Sequence, residues 1–336
     1  MKKHLFLFSV LLCFNACKNE LVTIEGWKDI PVVYGLLSIS DTASYFRIEK
    51  AFVDATKTPN ELAQLPDSLY YKDVTVTLVR TKNNERFNLT QVNGNTEGYV
   101  RQDGIFAKAP NYLYKIKNSV LNMKADEEWR IEVLRKGESK PIAKAVTKVI
   151  GIYDITNPST GAVFLRLDNT FNLNLETEEK TGRVYDVKLL FNYDETDPAK
   201  PNSTTTKQVK WDFTSGQLRK SSGNQPDPIM SFSRRGQEFY EFLGANIPAT
   251  AGVLRSFKSI DFEVSIGGQE FIDYINVGIA NTGITGSQTI PTYTNIENGL
   301  GLFSSRNKVV KTGVKLSADA IELLKNSEFT RKLNFR

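Results

Sequence analysis

Short segments of alternating polarity recur along this chain, and they restrict its fold more than any other feature. Val74 to Arg80 reads VTVTLVR, Tyr112 to Asn118 reads YLYKIKN and Glu128 to Arg135 reads EWRIEVLR. Polarity that switches at every second residue suits a strand with one buried face, and the β-branched Val and Thr fit a pleated surface. Pro31 to Ile39, Ser44 to Val53, Arg86 to Gln91, Gly98 to Phe106 and Ile142 to Val149 read as further strands. Turn signals at Asp41-Thr42, Asn83-Asn84 and Lys136-Gly137-Glu138 separate them. One short helix is predicted among them: Thr58 can cap it, Pro59 suits its first position and Glu61 closes a capping box. Seven or more short strands with regular turns predict an antiparallel, immunoglobulin-like β-sandwich.

The texture changes near Ile150-Gly151, where a domain boundary is expected, and 336 residues are long enough for two domains. The second half is expected to be a β-sandwich or partly open barrel with one or two short helices. Its strands are read at Ala162 to Asp168, Arg183 to Tyr193, Lys207 to Phe213, Ser256 to Ile266 and Glu270 to Ala280. Gly267-Gly268 predicts a hairpin between the last two. Arg234 to Leu243 reads as a helix stopped by Gly244, and Ser317 is a good N-cap for a final helix. Asp194 to Ser203 and Gly216 to Pro228 read as polar surface loops. The whole chain is therefore expected to be mainly β, as two antiparallel β-rich domains.

Residues 1–16 carry a targeting signal. Lys2 and Lys3 precede the apolar run Leu5 to Leu12, and Ala16 leads into Cys17. The run is well short of the roughly 20 residues that a membrane-spanning helix needs. The cysteine behind a small residue looks like a bacterial lipobox, so Cys17 is expected to be lipidated and to begin the mature protein. Lys18, not an acidic residue, follows it, and outer-membrane anchoring facing the cell exterior is expected. Residues 17–23 would be a short tether, residues 24–150 the sandwich and residues 151–336 the second domain. The LVTIEGW strand at Leu21 to Trp27 would lie within about 15–20 Å of the anchor at roughly 3.3 Å per extended residue.

Removing the signal also removes His4, the single histidine, and Cys13. The lipid would occupy Cys17, so the mature chain offers neither imidazole nor free thiol. Ser-His-Asp and Cys-His catalysis are excluded, as are zinc sites built on these residues and intrachain disulfides. The chain has 43 basic and 38 acidic residues, and Lys2 and Lys3 leave with the signal. Near balance without a basic block gives nucleic-acid binding no support.

Carboxylate chemistry remains open, but its candidates read blandly. Asp194-Glu195-Thr196-Asp197 lacks the spaced ladder and central glycine of a calcium loop. Asp126-Glu127-Glu128 and Glu176-Thr177-Glu178-Glu179 read as charged turns. Trp27, Trp129 and Trp211 could stack on sugars, but alternating segments place such residues in a core more often. No cofactor or metal site is expected, and no enzymatic activity.

Four segments carry a resemblance: the lipoprotein start, VTIEGW, PVVYGLLSISDTASYFRIEKAFV and the late TNIENGLGLFSSR. With them the chain resembles an uncharacterised family of Bacteroidota outer-membrane lipoproteins, a domain of unknown function often encoded beside TonB-dependent receptors. Asn295, Glu297, Asn298, Gly299, Gly301 and Phe303 match the family's late motif. The resemblance implies no catalytic residues, and the glycines are expected to serve backbone geometry. It implies an accessory or binding role beside an outer-membrane β-barrel protein such as a TonB-dependent transporter. A surface glycan or peptide ligand is the alternative, and a carboxylate-based glycoside hydrolase the more remote one.

Overall fold

A computed structural model describes residues 29–51, 57–159, 162–197, 199, 203–280 and 292–336. Cys17, the Leu21 to Trp27 segment and Trp27 itself lie outside the described residues. The protein is mainly β.

The first half contributes β1 (Ile30–Leu37), β2 (Ala43–Ala51), β3 (Val74–Arg80), β4 (Glu85–Asn88), β5 (Thr90–Asn93), β6 (Tyr112–Lys117), β7 (Glu128–Arg135) and β8 (Ala143–Lys148). It is immunoglobulin-like in its layering, with two sheets face to face. Strands β1-β2-β6-β5 form one layer and β4-β3-β7-β8 the other. The chain crosses between layers at Leu89, so the single strand expected over Arg86 to Gln91 is two strands in different sheets. Alternation puts Val33, Leu37, Phe46, Ile48, Val76, Leu78, Ile131 and Val133 into one shared core around the fully buried Trp129. Helix α1 (Pro59–Ala63) starts at Thr58, whose Oγ1 accepts from the Glu61 N–H at 3.3 Å while Glu61 accepts from the Thr58 N–H at 2.7 Å. The Gly98 to Phe106 segment is not the strand expected; it runs irregularly over the outer face of the β1–β2 sheet.

The second half adds β9 (Asp154–Asn157), β10 (Ala162–Val163), β11 (Thr170–Glu176), β12 (Val184–Thr196), β13 (Thr204–Leu218), β14 (Ser221–Ser222), β15 (Gln225–Pro226), β16 (Ile229–Arg235), β17 (Leu254–Gly267) and β18 (Leu300–Leu316). The antiparallel run β13-β12-β17-β18 faces the smaller sheet β16-β11-β9. Their core includes Leu173, Leu175, Tyr185, Val187, Leu189, Phe191, Phe232 and Phe262. Beyond α2 (Pro66–Leu69) and α3 (Asn118–Leu121) in the first half, three helices follow: α4 (Gly236–Asn246), α5 (Gln269–Ala280) and α6 (Ala318–Asn326). Ser317 caps α6 by accepting from Ala320 N–H at 3.2 Å.

Two sequence expectations are corrected here, and among the described residues the second half has three helices where one or two were expected. Gly244 lies inside α4, where a β-carbon would overlap the Phe329 carbonyl oxygen; it permits close approach of another segment, not helix termination. Glu270 to Ala280 is helix α5, not the second strand of a hairpin. Its Ile, Val and Tyr content suits a strand, but tertiary contacts override that preference. Glu270 in the first turn accepts from Ser304 Oγ at 2.8 Å and Thr147 Oγ1 at 3.1 Å, and the Phe271 ring packs over Gly267.

The last strand joins the two halves. Leu300 to Ser305 pair in parallel with Val32 to Leu37, while Arg306 to Val314 pair antiparallel with Gly267 to Ile260. One nine-stranded sheet thus runs through both halves. Val149 belongs to the first core and Ile150 to the second, but Ile296 and Phe303 return to the first.

Candidate binding cleft

Period-two alternation gives β1 a second face. Val33 and Leu37 point into the sandwich; Ile30, Val32, Tyr34 and Leu36 point out. The pairing sets Leu300 beside Val32 and Leu302 beside Tyr34 from β18, with Glu49 and Arg47 opposite the same two residues on β2. The outward face of a sandwich sheet is ordinarily polar. Here its centre is apolar, and Tyr34 remains 43% exposed.

Among the described residues two walls flank this floor, burying Leu302 and leaving Tyr34 half-exposed. One is the segment carrying Tyr99, Val100, Arg101 and Phe106. It lacks strand pairing but is pinned by asparagines. The buried Asn111 donates to Asn95 Oδ1 at 3.0 Å and Tyr99 O at 2.7 Å, and Asn95 accepts from Arg101 N–H at 3.2 Å. Gly94 donates to the Asn111 carbonyl at 2.6 Å. Tyr99 packs on Tyr45 with ring centroids 4.6 Å apart, and Val100 is 61% exposed. The other wall is α5, whose Phe271 borders the floor. Tyr274, one turn on and half-exposed, lies close enough to Tyr34 to act on its hydroxyl. The floor and walls enclose adjoining hollows of about 440 and 820 Å³ that share Tyr34.

Several charged groups line the cleft, among them Arg306, which bonds Asp41 at 2.6 Å. Arg47 and Arg101 both bond the Glu49 carboxylate, Arg47 at 3.0 Å. Asp103 pairs with Lys108. Tyr45 donates to Glu97 at 2.8 Å, and Lys115 closes on the same carboxylate at 2.5 Å. Burial, with Tyr274 and Glu49 nearby, pushes the Tyr34 hydroxyl above its usual range. A further depression of about 650 Å³, which shares Asp41, Ala43 and Tyr45 with the smaller hollow, is lined by Asn118, but that side chain already holds Ser38 O, Asp41 O and the Ser44 hydroxyl.

The late-motif residues build this floor from beneath. Asn295 brackets the Phe303 backbone, donating to its carbonyl at 2.6 Å and accepting from its N–H at 2.9 Å. Glu297 exchanges backbone hydrogen bonds with Lys144 and pairs with its ammonium at 3.2 Å. Asn298 adopts a left-handed φ of 58°, and Gly299 lies against the Pro31 carbonyl. Gly301 has φ 115° and lies against the Val33 carbonyl; Phe303 is fully buried beside Phe46. None of the six contributes a reactive side chain to the cleft; they set β18 against β1 and turn Leu300 and Leu302 outward.

The acidic clusters fall elsewhere: Asp126 and Glu127 lie in the turn expected, whereas Asp194 and Glu195 depart from the loop reading. Strand β12 continues through Thr196, so Asp194 and Glu195 are strand residues. Glu195 pairs with Lys207 at 2.5 Å and with the buried Arg255 at 2.9 Å. Burial alone would raise its carboxyl, but Lys207 and Arg255 outweigh it and hold the pKa below the usual carboxylate range. Glu132 behaves alike between Arg86 and Arg130. Depressed folded pKa values stabilise the fold above the unfolded value and lose that contribution as pH falls through the folded one. Melts between pH 6 and pH 3 should therefore show stability falling as pH drops through the carboxylate range, with a shallower fall in Glu195→Gln. An unchanged slope in that variant would contradict the assignment. Glu179, expected in a turn, is buried against Arg219. Trp211 is half-buried and stacks on Phe242, so it joins the second core's edge. Among the described residues no three acidic, histidine or cysteine side chains are grouped as a metal site needs.

No family model matches the chain, and no curated protein matches it. Among solved structures it is similar to the C-terminal globular domain of an oligosaccharyltransferase from Pyrococcus abyssi, at 8% identity and a TM-score of 0.24. That match covers 70% of this chain and 45% of the other, so the chain spans under half of that structure's length. It is also similar to CBD12 from CALX1.2, at 9% identity and a TM-score of 0.20, covering 85% of this chain and 99% of that one. At these TM-scores neither likeness bears on function.

Proposed function

We propose that this protein is a non-catalytic, lipid-anchored outer-membrane protein, acting as a binding subunit of an outer-membrane β-barrel complex such as a TonB-dependent transporter. The observation that carries this reading is the apolar outer face of β1 and β18, which the described residues flank with two walls and leave half-exposed at Tyr34. Apolar surface gathered in one concave place is a binding surface more often than a neutral one. Its floor begins on β1, the first strand among the described residues: Cys17 to Ile30 spans at most about 45 Å of chain, at 3.3–3.6 Å per residue. A membrane-embedded partner is then within reach. The acidic side chains lining the cleft, Asp41, Glu49 and Asp103, are all ion-paired, which does not suit a hydrolytic acid–base pair. Glycan binding would call for a flat aromatic platform, whereas the Tyr45 and Tyr99 rings are tilted by 49°.

The test uses parent cells. Full-length protein should sediment with the outer membrane, and Cys17→Ala should release it. Pull-down from detergent-solubilised membrane should recover a β-barrel protein, and Tyr34→Arg should reduce recovery at least about tenfold with the melting temperature unchanged. Membrane retention of Cys17→Ala, or recovery indifferent to Tyr34→Arg, would reject the reading.

A further inference from the structure

The cleft is not uniformly apolar, and its polar end has a sign. At the Val32 end, Arg47 and Arg101 share one carboxylate, Glu49, so two guanidinium groups meet one negative charge. Arg101 is held there: its side chain is 10% exposed and lies over the Phe106 ring at 5.3 Å. Asp103 on the same wall is committed to Lys108 and does not cancel the excess. Lys50, which donates to the Asp67 carbonyl at 2.8 Å, lines the same end. A surplus of guanidinium charge beside an apolar floor complements a carboxylate carried on an apolar ligand.

The floor also has a spacing. Outward side chains on β1 repeat every second residue, about 6.6 Å, and neighbouring strands stand about 4.8 Å apart. Val32 to Leu36 covers about 13 Å of extended chain. That is the length over which about four residues of an extended peptide present alternate side chains. We propose that the cleft takes an extended peptide segment in which one Asp or Glu is flanked by aromatic or aliphatic residues, the acid meeting Arg47 and Arg101 and the apolar side chains lying on Val32, Tyr34 and Leu36. This rests on the binding reading above and names the chemistry of the partner segment.

Selection of a phage-displayed random 12-residue peptide library on the immobilised mature protein tests it. Enriched peptides should share an acidic residue between apolar ones. In fluorescence polarisation, replacing that acid by its amide should weaken binding about tenfold or more, as loss of a charge-assisted hydrogen bond implies. Arg101→Gln should do the same, and Val100→Asp, at an exposed position that leaves the fold intact, should weaken it comparably. Lys188→Gln, on the polar outer face of β12, should leave binding unchanged. Enrichment of basic or purely polar peptides, no enrichment, or binding indifferent to both Arg101→Gln and Val100→Asp would overturn the inference. Binding of a glycan array or of lipid vesicles in place of peptides would overturn it as well. If barrel-protein recovery persists and responds to Tyr34→Arg while no peptide is enriched, the ligand class alone is wrong. If peptides behave as expected but no barrel protein is recovered, the ligand class stands and the membrane assignment fails.

Discussion

Replacing Glu179 with alanine is expected to destabilise the protein by about 3–5 kcal/mol, because it leaves Arg219 charged, buried and unpaired. The two side chains are 2% and 1% exposed and meet at 3.1 Å. The carboxylate also accepts from Thr181 N–H at 2.7 Å, from Gly182 N–H at 3.0 Å and from the Tyr153 hydroxyl, which stands 3.1 Å from the Tyr185 hydroxyl. Arg219 further donates to the Glu179 carbonyl at 3.1 Å and the Asp227 carbonyl at 2.8 Å. Burial pushes the Glu179 carboxyl upward, against the pull of the Thr181 and Gly182 N–H groups and of Arg219. Arg219→Met should cost a similar amount, while the double variant Glu179→Leu with Arg219→Met should recover part of it, since removing both charges removes the uncompensated one. Urea denaturation of the three variants measures this. Single-variant losses below about 1 kcal/mol, the range of exposed pairs, would show that water reaches the site.

Gly301→Val should be at least as damaging, costing about 4 kcal/mol or preventing folding. At φ 115° an L side chain is strained, and its β-carbon would overlap the Val33 carbonyl oxygen, a backbone atom that cannot rotate away. The damage falls on the β1–β18 pairing, which both joins the halves and lays the cleft floor. Gly313 supplies the control. It too has a positive φ, 74°, but open space around it, so Gly313→Ala should carry only the conformational cost of about 1–2 kcal/mol. Equal losses at the two positions would mean that backbone strain, not the approach of β1, explains Gly301. Hydrogen exchange of the β1 amides separates the cases further, since only Gly301→Val should accelerate it.

Local chemistry was legible in the sequence. Alternation located β3, β6 and β7, Thr58 and Ser317 marked helix starts, and Trp129 belonged to a core, because a strand's period and a cap's hydrogen bonds involve residues a few positions apart. The mostly apolar Pro31 to Ile39 read as a strand, but nothing in it told which of its residues face outward. The tertiary structure decided which elements meet. Helix α5 replaced a plausible strand because Glu270 and Phe271 find partners on β8, β17 and β18. Glu179 looked like a solvated turn because its partner, Arg219, is 40 residues away. Gly244 looked like a stop because the Phe329 backbone that needs its bare face is distant in sequence. The cleft combines β1, β2, β18, the Tyr99 to Phe106 segment and α5, and no local pattern encodes that assembly. The residue pattern determines which side of each strand is apolar; only long-range pairing determines which apolar sides are buried together and which one the described residues leave exposed.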